Sequence, residues 1–273
     1  MLYNCAQQKA LEYLNTVIDQ VTSFGDILQF VTIELLRKVC RTNLSPGERS
    51  RYIRCIASLL GSSSPAVQYD AAAALYALSS TPTAIKAAAS TFIQLLCSVR
   101  ACFLSLSLSL SFASDSLVLL LALQQSDNNV KLIILDKLQE IKKTHNKVMQ
   151  DLLMDVLRAL ASPTLDIRQK TLDFAMDLVN PRNIDEVILL LKKEINRTQS
   201  AEMDKAAEYR QILIKAIHSC AAKFPNVAGN VVHVLMDFLG DSNIQSAVDV
   251  ILFARYVVDS YARVQHVALP APD

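Results

Sequence analysis

The stretch Ser64-Pro65-Ala66-Val67-Gln68, running on to Ala71, Ala72 and Leu75, decides how the rest of this chain is read. It is a short polar turn, an aliphatic residue and a polar residue, with apolar positions four, five and eight residues after the aliphatic one. That spacing sets the apolar side chains on one face of a helix opening at the turn. The pattern returns as Asp127-Asn128-Asn129-Val130-Lys131 leading to Ile134, Leu135 and Leu138. It returns again as Pro163-Thr164-Leu165-Asp166-Ile167-Arg168 leading to Thr171, Leu172 and Ala175, and a weaker copy runs from Ile27 to Val31, Thr32 and Leu35.

The anchors Ile27, Val67, Val130 and Ile167 are separated by 40, 63 and 37 positions. Periods near 40 belong to helical repeats of the HEAT and armadillo type, so the expected fold class is all-α, an α-solenoid of such repeats. The middle interval exceeds the last by 26 residues, and inside it lies the Ser-Leu alternation from Leu104 to Ser111. The excess reads as an insertion into a regular array. From Phe103 to Leu123 the tract holds one charge, Asp115, over 21 residues, which raises a membrane span or an ordered docked segment as alternatives. Serines at Ser105, Ser107, Ser109 and Ser111 favour a low-complexity insert, of the kind a translated intron would leave.

Composition agrees with helices. Apolar residues make up 52% of the chain, and five Gly and eight Pro are all that punctuate it. Pro46, Pro65, Pro82, Pro163, Pro181 and Pro225 fall in or beside the expected turns. The periodicity predicts helices at about 6–22, 26–41, 47–60, 65–79, 82–97, 127–143, 147–161, 164–180, 183–196, 203–223, 227–239 and 243–262. In the helix after Ser126, Val130, Ile133, Ile134, Leu138 and Ile141 form the expected apolar stripe, with Lys131 outside it and Ser126 or Asp127 as the cap.

Lys plus Arg is 27 against 26 Asp plus Glu, so no bulk basic field argues for nucleic acid. The local basic groups Arg49, Arg51, Arg54 and Lys142, Lys143, Lys147 read as solvated helix faces, with a phosphate or acidic-partner contact as the alternative. Cys5, Cys40, Cys55, Cys97, Cys102 and Cys220 have no zinc or disulfide spacing and are expected as free thiols of a cytosolic protein. Met1 to Lys9 holds no apolar signal-peptide core. The glycines are never closer than 11 positions, which excludes G-x-G-x-x-G and Walker loops. His145, His218, His233 and His266 are isolated, and His218 and Cys220, two apart on a helix, do not face each other. Asp185 and Glu186 fit the first turn of a helix. No catalytic, cofactor-binding or metal-binding residue is nominated, no cofactor is expected, and an enzyme is not.

Several stretches resemble the trunk of the coatomer beta-subunit family, within the wider adaptin N-terminal group. They include Phe24-Gly25-Asp26-Ile27-Leu28-Gln29, Arg51-Tyr52-Ile53-Arg54-Cys55-Ile56, Ser62-Ser63-Ser64-Pro65-Ala66-Val67 and Pro82-Thr83-Ala84-Ile85-Lys86-Ala87-Ala88-Ala89. Ser126-Asp127-Asn128-Asn129-Val130-Lys131-Leu132, Leu190-Leu191-Lys192-Lys193-Glu194, His218-Ser219-Cys220 and Phe224-Pro225 continue it, covering about residues 7 to 253 apart from the insert. The resemblance implies an adaptin-type trunk and a non-catalytic structural role in a vesicle coat carrying protein between Golgi and endoplasmic reticulum. It implies other coatomer subunits and a small Arf-type GTPase as partners, with peripheral attachment to the cytosolic face of the Golgi membrane. Family members are much longer, which points to a fragment or an aberrant splice form. The expected organisation is repeats over 1–97, the Ser/Leu insert over 98–125, repeats again over 126–255 and a divergent tail over 256–273. A generic HEAT-repeat adaptor or transport-receptor scaffold binding other proteins is the alternative function.

A one-dimensional array exposes an apolar stripe at an uncovered end. The residues expected in that role are Leu11, Leu14, Val17, Ile18 and Val21 at one end, and Val248, Ile251, Leu252 and Phe253 at the other.

Overall fold

Helix starts are set by local chemistry. The computed structural model describes residues 6–42, 45–98, 116–200, 206–224, 248, 250–252 and 254–255. Helix α1 is Gln7–Val17, running on as a 3₁₀ turn over Ile18–Ser23, and α2 is Asp26–Val39. Helix α3 is Pro46–Ser58 and α4 is Pro65–Leu78, each with Pro in the first turn, where its missing N–H does no harm. Ser45 and Glu48 form a reciprocal capping box at the start of α3, an arrangement that stabilises a helix by about 1 kcal/mol. Pro82 opens α5, Pro82–Ser98. Then follow α6 Ser116–Thr144, α7 Asn146–Asp151, α8 Leu153–Leu157 with a 3₁₀ turn over Arg158–Ala161, α9 Leu165–Met176, α10 Ile184–Ser200 and α11 Ala206–Lys223. Asn180 and Asn183 close the turn before α10 by accepting backbone N–H groups on their side-chain oxygens. There is no strand among the described residues.

The helices fall into two compact units, Met1–Ala159 and Leu160–Asp273. In the first, contacts between α2 and the segment made of α4 and the turn before it keep a constant offset: Ser62 Oγ donates to Gln29 Oε1 and Arg37 Nη2 donates to Asp70, both 33 residues apart. Contacts between the α1 region and α3 keep an offset of 37, Tyr52 to Asn15 and Cys55 to the Ile18 carbonyl. A constant positive offset means parallel helices, each meeting its counterpart one repeat on. Neighbours in sequence run antiparallel instead: Arg49 at the start of α3 reaches the Leu78 carbonyl at the end of α4, and Tyr69 meets Phe92 edge-on at 5.4 Å across the α4–α5 turn. The second unit repeats the scheme. Arg168 lies against Tyr209 and Met176 against Cys220, so α9 and α11 are parallel, and Arg210 at the start of α11 meets Thr198 near the end of α10.

Burial reveals the repeat more sharply than the sequence pattern does. Taking a polar residue as position i, positions i+3, i+4, i+7 and i+10 are buried in five copies starting at Gln29, Gln68, Lys131, Arg168 and Arg210. The fifth copy, with Leu213, Ile214, Ile217 and Cys220, was not read from the sequence. The weak copy is shifted by one residue, because Thr32, Ile33 and Leu36 are buried while Ile27 and Val31 are 79% and 60% exposed. In α6 the stripe is Lys131, Ile134, Leu135, Leu138 and Ile141, whereas Val130 is 43% and Ile133 52% exposed. The expected stripe is corrected by this one-position turn of the helix. The starts of the last three copies are 37 and 42 apart and the interval from Gln68 to Lys131 is 63, so the excess survives the new register.

The expected cap at Ser126 or Asp127 is also corrected, since α6 is helical straight through Ser126–Asn129 from Ser116. The remainder of the Ser/Leu tract, 99–115, lies outside the described residues, as do the helix expected at 227–239, most of 243–262, and the tail. No described helix is long and apolar enough to cross a membrane. At the first end, Leu14, Ile18 and Val21 are buried, so the expected exposed stripe of α1 is overturned; the exposed apolar residues there are Tyr13, Ile27, Leu28 and Val31. Near the other end Val248, Ile251 and Leu252 are exposed, as expected, and Phe253 lies outside the described residues.

Candidate functional site

Among the described residues, three of the four cysteines are packed in the core. Cys40, Cys55, Cys97 and Cys220 are free thiols, the first two and the last buried. Burial pushes the Cys55 thiol up to about 11, with Asp19 adding to the rise and Arg51 opposing it. Burial pushes Cys220 up to about 12 against a weaker pull from Lys223. Cys40 and Cys97 are raised by burial as well. A nucleophilic cysteine needs the opposite shift, because the thiolate is the reactive form. Cys220 Sγ rests 3.9 Å from Met176 Sδ in the core. His145 sits at the start of α7 with its ring edge-on to Tyr76, and His218 is half-buried on α11. No group of His, Cys, Asp and Glu that could hold a metal ion occurs among the described residues. Cys5, Cys102, His233 and His266 lie outside them.

What the helices do position is the polar residue of each repeat. Gln29 Nε2 donates to the Phe24 carbonyl at 2.9 Å and the Thr22 carbonyl at 3.3 Å. Gln68 Nε2 donates to the Ser62 carbonyl at 2.5 Å, six residues back. Arg168 Nε donates to the Ser162 carbonyl, again six residues back. Arg210 donates from Nε to Thr198 Oγ1 and from Nη2 to the Thr198 carbonyl. Each of these four ties the helix carrying it to a carbonyl preceding that helix. The guanidinium of Arg168 also lies 4.6 Å above the Tyr209 ring. The polar residue in the sequence pattern is therefore an inner tie, and Lys131, read as lying outside the stripe, is buried at the same position.

Two grooves open on the first unit. One, of about 440 Å³, is lined by Arg37, Arg41 and Arg49 over a floor of Ala73, Ala77 and Leu78. The other, of about 470 Å³, lies between α5 and α8, where Arg158 and Asp155 pair at 3.9 Å. The basic group read as Arg49, Arg51 and Arg54 is divided by the fold. Arg49 enters the first groove, Arg51 pairs with Asp19 at 3.0 Å, and Arg54 donates to the Ser50 carbonyl of its own helix. Lys143 and Lys147 are exposed, and Asp185 and Glu186 occupy the first turn of α10 as expected.

Residues 1–270 match the family described as the adaptin N terminal region. The chain is 55% identical over 261 residues to coatomer subunit beta of Dictyostelium discoideum, covering 96% of this chain and 26% of that protein. It is 50% identical over 260 residues to coatomer subunit beta-2 of Arabidopsis thaliana, covering 95% of this chain and 24% of the relative. It is 47% identical over 264 residues to coatomer subunit beta of Rattus norvegicus, covering 96% and 25%. The chain thus spans about a quarter of the length of the curated relatives it matches. It belongs to the adaptin N-terminal family.

Proposed function

We propose that this adaptin-family chain is a structural subunit of a vesicle coat of the coatomer type, acting as a protein–protein scaffold in transport between Golgi and endoplasmic reticulum. The observation carrying this reading is identity of 47 to 55% with coatomer beta subunits over nearly the whole chain. Physically, within each unit helices pack parallel to their counterparts one repeat on, and such stacked repeats suit binding along a surface better than chemistry in a pocket. The scaffold reading involves no catalysis and no cofactor. Its partners are other coatomer subunits and a small Arf-type GTPase, and its location is the cytoplasm and the cytosolic face of Golgi membranes and coated vesicles, held there peripherally through the coat. We divide the chain functionally into repeats over 1–97, the insert over 98–125, repeats over 126–255 and the tail over 256–273.

The test is a pull-down of the purified chain with intact coatomer subunits and, separately, with an Arf-type GTPase loaded with GTP. Capture of coat subunits supports the reading. Failure with both, together with recovery of unrelated clients, would move the protein to the generic helical-repeat adaptors.

A further inference from the structure

We propose that the groove bounded by Arg37, Arg41 and Arg49 binds a short acidic peptide segment of a partner protein, one carrying an aliphatic side chain among its carboxylates. Two of the three guanidiniums are already held. Arg37 Nη2 donates to the Asp70 carbonyl at 2.9 Å and to Asp70 Oδ1 at 2.5 Å, and Arg49 Nη2 donates to the Leu78 carbonyl at 3.1 Å. A guanidinium has five N–H donors, so both keep unspent donors while their positions are fixed, which lowers the ordering cost of binding. Arg41 is exposed just beyond α2, and no carboxylate lines the groove. Arg37 is ion-paired with Asp70 at 2.5 Å and with Glu34 at 3.6 Å, whereas Arg41 and Arg49 have no carboxylate partner among the described residues. The groove therefore keeps a net positive rim, unlike the α5–α8 groove, where Asp155 meets Arg158.

The floor chooses among anions. Ala73, Ala77 and Leu78 offer an apolar surface that accommodates an aliphatic side chain and gives nothing to the hydroxyls of a lipid headgroup. At about 440 Å³ the groove falls in the range of roughly 300 to 1,000 Å³ typical of organic ligand clefts, far larger than one inorganic anion requires. A net charge of +1 for the whole chain argues against a nucleic-acid backbone. Arg–carboxylate pairing is the strong, directional contact that remains.

The proposal goes beyond the coat reading and is tested without any coat subunit, so either can fail alone. The probe is a fluorescein-labelled ten-residue peptide of Glu and Asp flanking two Leu, titrated with the full chain by fluorescence polarisation. The control peptide carries Gln and Asn in place of the acids. Saturable binding of the acidic peptide only is expected, with a Kd raised about ten-fold by Arg41→Glu and by Arg49→Gln. Arg54→Glu, which changes charge outside the groove, should leave it unaltered. Absence of saturable binding, equal binding of the control peptide, or equal weakening by Arg54→Glu would overturn the proposal. So would Arg41-dependent binding of inorganic phosphate or of phosphatidylinositol-phosphate vesicles without peptide binding, which would make the groove a headgroup site.

Discussion

Replacing Arg168 by Met removes the inner tie of one repeat while keeping most of its stem. The Ser162 carbonyl loses its donor, and a buried polar group left unpaired costs about 1–3 kcal/mol. The stacking of the guanidinium on buried Tyr209 at 4.6 Å is worth up to about 2 kcal/mol when desolvated. Removing a buried charge also removes its desolvation penalty, which offsets part of the sum. A net loss of about 2–3 kcal/mol follows, and for a chain of this size it lowers Tm by roughly 5–10 °C. Thermal melting followed by circular dichroism at 222 nm reads it, with Arg158→Met as control: Arg158 is 74% exposed and pairs only at 3.9 Å, so its loss should cost within about 0.5 kcal/mol. Arg168→Lys should cost less than half as much as Arg168→Met, because Lys131 fills the same repeat position natively. Equal shifts for Arg168→Met and Arg158→Met would refute the inner-tie reasoning.

Thr171 is fully buried and its hydroxyl has no hydrogen-bond partner among the described residues, so Thr171→Val should raise stability by about 1 kcal/mol, measured by urea denaturation. The thiols of Cys55 and Cys220 have folded pKa values near 11 and 12 against an ordinary 9.0, so above pH 9 the native state holds more protons than the unfolded one. Stability should therefore be unaffected by these thiols below pH 9 and fall as pH rises from 9 towards 11 for Cys55 and towards 12 for Cys220, by up to about 1.4 kcal/mol per pH unit for each within its window; Cys220→Ala should flatten that slope in denaturant midpoints taken at successive pH values. Deleting about 26 residues between Ser98 and Gln125 brings the Gln68-to-Lys131 interval to that of the next repeat and should preserve or raise Tm, whereas a large loss of helical signal would make the segment structural. The exposed Ile27, Leu28 and Val31 on α2 should promote self-association in the micromolar range, and Ile27→Gln with Val31→Gln should reduce it in sedimentation velocity without lowering Tm.

Helix positions and fold class were legible in the sequence because their causes are local. The 3.6-residue period and the prolines at Pro46, Pro65 and Pro82 act within one or two turns of the chain, and the observed elements follow them. The 26-residue excess was legible for the same reason, since a repeat pattern carries its own ruler. Which of two adjacent residues turns inward was not. Val130 and Lys131 both suit a helix, and local hydrophobicity favours burying the valine. The packed fold buries the lysine instead and leaves Val130 exposed. Likewise Ser126–Asn129 reads as a turn by composition, yet α6 passes through it unbroken.

The sequence by itself determined that this chain is helical and repeating, with one interval 26 residues longer than the next, and the family it resembles. Only the tertiary structure decided that Arg49 leaves its neighbours Arg51 and Arg54 to share a groove with Arg37 and Arg41. Only it revealed the fifth repeat at Arg210, whose polar residue ties to Thr198 rather than six residues back. The reason is one of range. Propensity and periodicity act over a few residues, whereas the parallel stacking that brings these side chains together depends on contacts between residues 33 to 44 positions apart.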